Sequence, residues 1–262
     1  MCLVDAVGRG CANRKSDVKT VQRLLNFNAS RVTRATSLGA DGVCGPATLR
    51  GIETFQRRVV GMPLPDGRVA PSSVTLKNLA AGLPAGLSQD KLQSVMVNAE
   101  PTRIERYAPA LFARMIARQI DTPRRQAHFL AQVGHESGEL RFVEEIASGD
   151  AYEGRLDLGN TDPGDGRRFK GRGLIQLTGR ANYRAYGEAV GVNLVADGNW
   201  NRVSDDPQMA VDVACWFWQT RELNALADND DVVGITRRIN GGLNGLSDRE
   251  LQLARAKFFL GL

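Results

Sequence analysis

The run Ala127-His128-Phe129-Leu130-Ala131-Gln132-Val133-Gly134 is apolar on nearly every side when wound as a helix. Such a helix is stable only when other elements surround it. Its limits are written nearby. Thr122-Pro123 supplies a cap and a first-turn proline, and Gly138 can end the helix after about Ser137. Helical apolar spacing also marks Lys91 to Asn98, Ala108 to Ile120, Val211 to Trp218 and Leu251 to Leu260. Alternating strand patterns are scarce. The expected fold class is therefore all-α, with at most a small β-hairpin between roughly 142 and 177. At 262 residues the chain has room for one or two domains. No stretch approaches the ~18 consecutive apolar residues of a spanning helix, so stable membrane insertion is not expected. Met1 to Arg9 has no basic region followed by an apolar run, so no secretory signal is expected.

Charge is unevenly spread. Residues 1–87 carry 12 Lys and Arg against 5 Asp and Glu, a net of +7, whereas residues 88–262 carry 22 against 24. A basic first part suits a polyanionic partner, such as a bacterial wall, an anionic membrane or nucleic acid. Ser16 or Asp17 can cap a helix with Val18, Val21 and Leu25 on its apolar face. Asp41-Gly42 reads as a turn, and Gly45-Pro46 starts a second helix with Leu49, Ile52, Phe55 and Val59 inward. The signal then repeats at an offset of 25: Asp66-Gly67 echoes Asp41-Gly42, Pro71 echoes Pro46, and Ser73-Val74 echoes Thr48-Leu49. Small and breaker residues from Ala80 to Gly86 read as a linker. Cys2, Cys11, Cys44 and Cys215 show no metal spacing and are expected to be reduced, with a Cys2–Cys11 or Cys11–Cys44 bridge as the alternative.

The pattern Val18, Val21-Gln22, Leu25-Asn26, Asp41-Gly42, Gly45-Pro46, Thr48, Phe55-Gln56 and Asp66-Gly67 resembles the small three-helix peptidoglycan-binding module of bacterial and phage wall enzymes. The resemblance covers about residues 14–80. It departs from the module in the Arg- and Thr-rich segment from Asn28 to Ala40.

Carboxylates carry the chemistry expected of the second part. Glu136 follows the buried helix directly, where partial burial disfavours a charged carboxylate and suits a proton donor. Glu139, Glu144 and Glu145 follow within nine residues, and glycoside hydrolysis needs two such groups. The only histidines, His128 and His135, share a helix face, but His135-Glu136-x-x-Glu139 lacks the second histidine of a zinc protease motif. No metal and no cofactor are expected. Nor is there a Gly-x-Ser-x-Gly elbow for Ser-His-Asp catalysis. Downstream, Gly171 and Gly173 allow close approach of a ligand. Gln176 and Thr178 would share one side of an extended segment, with Tyr183 nearby, and Asn240 offers an amide beside a flexible turn.

Three ordered pieces, Phe129-Leu130-Ala131-Gln132-x-x-His135-Glu136-Ser137-Gly138, Gly171-Arg172-Gly173-Leu174-Ile175-Gln176-Leu177-Thr178-Gly179 and Thr236-Arg237-Arg238-Ile239-Asn240-Gly241-Gly242, resemble glycoside hydrolase family 19, in the lysozyme branch found in phage endolysins. The resemblance spans about residues 90–262. It implies a lysozyme-like, two-lobed helical domain that cleaves β-1,4 glycosidic bonds with inversion. By position it makes Glu136 the general acid and Glu145 the base, leaves Glu144 open as the second carboxylate with Glu153 as an outsider, and makes Gln176, Thr178, Asn240 and Tyr183 substrate-binding. The resulting expectation is a wall-binding domain at 1–82, a linker at 83–88 and a lysozyme domain at 89–262. That chain is an endolysin acting as an N-acetylmuramidase on peptidoglycan. It is expected to be a monomer without a nucleic-acid partner, held in the host cytoplasm until the membrane is breached. A chitinase of the same fold and a non-catalytic wall-binding protein are the alternatives.

Overall fold

A computed structural model of the chain describes residues 2–32 and 37–262. Met1 and the middle of the Asn28–Ala40 segment lie outside the described residues. The fold is all-α apart from one two-stranded antiparallel sheet among the described residues. It packs as two compact units: Met1–Asn98 with Glu250–Leu262, and Ala99–Arg249. The stretch 83–88, where the sequence suggests a linker, falls inside the first unit.

In the first unit, strand β1 (Val7–Gly8) pairs with β2 (Arg68–Val69), with Val7 opposite Val69. Helix α1 (Lys15–Phe27) starts one turn earlier than its apolar spacing indicates. Asp17 caps nothing there. Its buried carboxylate accepts the backbone N–H groups of Val4 and Asp5 at 3.2 and 2.8 Å, which ties the N-terminal segment to α1. Helix α2 (Pro46–Phe55) has Pro46 in its first turn, where the missing N–H costs nothing. It runs into a π-helical turn, Gln56–Val60, that ends at the left-handed Gly61. Helix α3 (Val74–Ala80) is capped by Ser73, whose hydroxyl accepts from the Leu76 N–H. Helix α4 (Gln89–Val95) is capped in the same way by Ser88. Val18, Val21, Leu24, Ile52, Phe55, Val69 and Leu79 form a core with no exposed surface.

The repeat noticed in the sequence is a repeated polar station. The Gln22 amide donates to Asp41 Oδ1, the Val43 carbonyl and Thr48 Oγ1, and its oxygen accepts the Gly42 N–H. The Gln56 amide donates to Asp66 Oδ1, the Arg68 carbonyl and Thr75 Oγ1, and its oxygen accepts the Gly67 N–H. The counterpart of Thr48 is thus Thr75, two residues beyond the 25-residue offset, because Ser73 is occupied as the α3 cap.

The second unit is built on α5 (Pro101–Ala117), α6 (Pro123–Glu136) and α10 (Pro207–Thr220), with the shorter α7 (Asp165–Arg168), α8 (Arg180–Val190), α9 (Arg202–Asp205), α11 (Leu223–Asp228) and α12 (Val232–Asn240) around them. As the sequence indicates, α6 is buried from Ala127 to Gly134. Phe129 meets Trp218 of α10 edge-on at 5.4 Å. Full burial of Phe129, Leu130 and Val133 contributes roughly 1.5–3 kcal/mol each. A second cluster joins Phe169, Tyr183, Tyr186, Val203 and Val213. The segment 142–177 forms no hairpin. Its ladder is limited to isolated bridges, Glu144 with Arg172 and Arg172 with Leu177. The last helix, α13 (Leu246–Leu260), gives its first turn to the second unit and the remainder to the first.

Candidate active site

Glu136 is the last residue of α6. Immediately after it the backbone turns left-handed three times, at Gly138 (φ 56°), Glu139 (φ 57°) and Leu140 (φ 66°). Non-glycine residues adopt this conformation at a cost and only where their surroundings enforce it. Here the enforcement is explicit. Ser137 Oγ donates to the Val133 carbonyl and accepts the Leu140 N–H, while Leu140 itself is buried. The chain is reversed at the point where the Glu136 side chain leaves the helix, a fifth of it exposed.

The partner of Glu136 comes from 113 residues away. Arg249, in the first turn of α13, is buried, and its Nη2 lies 2.5 Å from Glu136 Oε1. Its Nη1 donates to Gln132 Oε1, one helical turn before Glu136. The neighbouring pair matches: His135 Nδ1 is 2.6 Å from Asp248 Oδ2. Gly245 makes room for that contact, since a Cβ there would sit 2.2 Å from the His135 ring. His128, the other histidine, has its Nε2 2.7 Å from Asp230 Oδ1. Each histidine is thus hydrogen-bonded to a carboxylate, and no metal-holding group of three appears among the described residues.

Glu144 and Glu145 have different partners. Glu144 is occupied by cations, with Arg172 Nη2 at 3.0 Å and Lys170 Nζ at 3.3 Å. Glu145 has neutral donors: Tyr152 Oη to Oε1 at 3.1 Å and the Gly171 N–H to Oε2 at 3.0 Å. The Glu145 N–H donates back to the Gly171 carbonyl at 2.8 Å, which fixes its backbone. Burial and the Glu145 charge together push the Tyr152 hydroxyl above the ordinary tyrosine value, so it stays a donor at neutral pH. A side chain at 171 would meet Gln176 Oε1 at 2.8 Å and Glu145 Oε2 at 3.3 Å, so the glycine keeps this corner open.

The comparisons agree with this arrangement of elements. A family model described as chitinase class I matches residues 117–241. A glycosyl hydrolase family 19 domain-containing protein of Haemophilus influenzae is 35% identical over 155 residues, covering 47% of this chain and 74% of the relative. The chain belongs to glycoside hydrolase family 19. An endochitinase of Arabidopsis thaliana is 37% identical over 139 residues, covering 52% of this chain, and the chain spans about half (46%) of that relative's length. Among solved structures, chitinase C from Streptomyces griseus superposes with a TM-score of 0.56 at 27% identity, over 66% of this chain and 76% of its own. A bacterial family 19 chitinase shares the fold at a TM-score of 0.54 and 24% identity, over 67% of this chain and 95% of its own. The fold and the glycoside hydrolase class follow from this membership.

Within the family 19 domain, the remaining candidate residues are placed as follows. Gln176 and Thr178 are half-exposed but do not lie on an extended strand. Gln176 is left-handed (φ 56°) and closes a turn, its amide donating to the Gly173 carbonyl, while Thr178 Oγ1 donates to the Gln176 carbonyl. Tyr183, expected to touch substrate, is fully buried. Its hydroxyl donates to the Lys170 carbonyl and accepts from Arg172, and burial pushes its pKa well up, so it supports the Glu144–Arg172 corner from below. Asn240 ends α12 and is exposed, its side chain turned onto its own loop at Gly242 N and the Asn244 carbonyl. Glu153 staples the loop that precedes α7 by accepting the N–H groups of Gly164 and Gly166. Arg249 and Gln132 have no local sequence signature pointing to Glu136. The i, i+4 spacing of Gln132 and Glu136 is the single clue, since it puts both on one helix face.

Proposed function

We propose that this family 19 enzyme hydrolyses the β-1,4 bonds of bacterial peptidoglycan with inversion, as an endolysin-type N-acetylmuramidase. Glu136 gives its proton to the leaving glycosidic oxygen, and Glu145 takes a proton from the water that attacks the opposite face of the sugar. The observation that carries this assignment is the asymmetry between Glu144 and Glu145. Glu144 is spent on two cations, whereas Glu145 is oriented by a tyrosine and a backbone N–H and retains acceptor capacity for a water. Arg249 fixes Glu136 through one carboxylate oxygen and leaves the other to face a substrate. Gln176 and Thr178, on the turn after Gly171, supply polar groups for the sugar, with Asn240 as a further contact from the α12 end.

Peptidoglycan is favoured over chitin by the first unit, whose basic balance and three-helix pattern suit an anionic wall polymer. A chitinase reading is supported by the endochitinases among the relatives. Turbidity loss on purified peptidoglycan beside sugar release from chitin, under one buffer, separates them: the proposal expects fast clearing of the first and little release from the second. Equal or greater release from chitin would reverse the assignment.

A further inference from the structure

The sequence holds two Asn-Gly pairs, Asn240-Gly241 at the end of α12 and Asn244-Gly245 immediately before α13. Asparagine before glycine is prone to deamidation, because the next backbone nitrogen can reach the side-chain carbonyl carbon and glycine has no side chain to hinder it. The structure protects one pair and leaves the other open. The Gly241 N–H is bound to the Arg237 carbonyl at 2.9 Å. Both ends of the Asn240 amide are engaged, by the Gly242 N–H and the Asn244 carbonyl. Asn244, by contrast, is exposed, and neither its side-chain amide nor the Gly245 N–H makes a hydrogen bond among the described residues. The labile pair is also enforced. Gly245 is left-handed (φ 72°), and a Cβ there would strike the His135 ring at 2.2 Å, so no shielding residue can follow Asn244. The adjoining N-terminal end of α13 favours the negative charge that develops on the attacking nitrogen. The place matters for the site as well. The Asn244 carbonyl accepts from Asn240 Nδ2 at 3.0 Å and from Arg249 Nε at 3.5 Å, and Arg249 is the partner of Glu136. In isoaspartate the main chain runs through the former side chain, and that carbonyl becomes part of a free carboxylate. It then competes with Glu136 for the guanidinium and lets the loop shift.

We propose that Asn244 is a self-modification site whose conversion to isoaspartate draws Arg249 away from Glu136 and lowers activity as the protein ages. The step needs only water. The Gly245 nitrogen loses its proton to the solvent and attacks Asn244 Cγ. A C–N bond forms, and the side-chain nitrogen takes up a proton and leaves as ammonia. Water then opens the cyclic imide at either carbonyl and gives aspartate or isoaspartate. The loss of activity rests on the reading of Glu136 as the acid, whereas the modification does not.

The test is ageing of the full chain in mildly alkaline buffer, with peptide mapping and hydrolysis rates on peptidoglycan and chitin taken from the same samples. Trypsin frees the peptide 239–249, which holds both asparagines, and electron-transfer fragmentation tells isoaspartate from aspartate within it. Isoaspartate is expected to accumulate at 244 over days while 240 stays an amide. The rate should fall in step, with a loss of about 10²-fold in the isoaspartyl form, as for a catalytic group displaced by an ångström. An L-isoaspartate methyltransferase with its methyl donor returns the residue to aspartate and should restore the rate. Asn244→Gln, whose ring closes far more slowly, should hold its own starting rate through the same ageing. Intact Asn244 in aged samples, equal conversion at 240 and 244, or a full rate from chain converted at 244 would each overturn the inference. So would a rate that the methyltransferase leaves depressed. Failure of the Glu136 reading shows separately, as a Glu136→Gln variant with the parent's rate, and leaves the peptide map unchanged.

Discussion

Each unit holds a long polar side chain beneath a turn, and the two do so to opposite ends. In the first unit, Gln22 and Gln56 are saturated: each amide donates to three acceptors and accepts one backbone N–H from its own loop. In the second, Glu136 takes one hydrogen bond from Arg249, and Glu145 takes two from Tyr152 and Gly171, although a carboxylate can accept about four. Saturated groups hold a fold. Groups oriented by a few partners, with acceptor sites left over, are available to a substrate and a water. The backbone differs in the same sense. The turn after Glu136 and the one at Gln176 contain left-handed non-glycine residues, Glu139, Leu140 and Gln176, whereas the Asp41-Gly42 and Asp66-Gly67 turns put glycine at the left-handed position.

The largest effect expected from this contrast is on Glu136→Gln. The amide is nearly isosteric and keeps an oxygen for Arg249, but it has no acidic proton to give. Hydrolysis should fall by about 10²–10⁴-fold with the melting temperature nearly unchanged. A folded variant with near-normal rate would remove Glu136 from the chemistry. Gln22→Ala and Gln56→Ala should do the reverse. Each strands buried partners and should cost about 1–3 kcal/mol of stability in denaturant titration, with kcat intact below the transition. Similar losses from the two would confirm that the stations are equivalent, while a negligible loss would show that one of them is dispensable.

Gly171→Ala should have an intermediate effect. Its Cβ would press on Gln176 Oε1 and approach Glu145 Oε2, so a rate loss on the order of tenfold is expected, equal to about 1.4 kcal/mol in the barrier. An unchanged rate would mean that Glu145 does not need this corner. The smallest effect is in the pH dependence of the first unit. The Val43 N–H and the Gln22 amide hold the Asp41 carboxyl below its ordinary value of 3.8. A carboxylate depressed in the folded state adds stability that is present above the unfolded value and is lost as pH falls through the folded one. The parent should therefore lose more stability than Asp41→Asn between pH 5 and pH 3. Parallel acid curves for the two would contradict that role.

What could be read in advance was local. Thr122-Pro123 and Gly138 mark the ends of α6 because caps and breakers act within one turn, and the all-round apolar stretch between them forces burial. Glu136 is visible for the same reason. Arg249 is not, because a guanidinium brought 113 residues along the chain leaves no periodic trace. The choice between Glu144 and Glu145 is likewise tertiary, decided by Arg172, Lys170, Tyr152 and Gly171. Tyr183 lies in a polar, glycine-rich neighbourhood that reads as a binding loop, yet it packs against Phe169 at 5.3 Å as part of the core. Between 142 and 177, where the sequence allowed at most a small hairpin, hydrogen bonds such as Glu145 with Gly171 stand in place of a regular ladder, and the strand pair among the described residues forms between Val7–Gly8 and Arg68–Val69.

The central claim is that a family 19 scaffold here cuts wall glycan using Glu136 and Glu145. Its most direct test is mass spectrometry of purified peptidoglycan digested by the full chain and then reduced with borohydride. The account predicts soluble muropeptides with intact stem peptides and a reduced N-acetylmuramic acid at the new end, and none from the Glu136→Gln digest. Reduced N-acetylglucosamine at that end, or an undigested wall beside digested chitin, would contradict it.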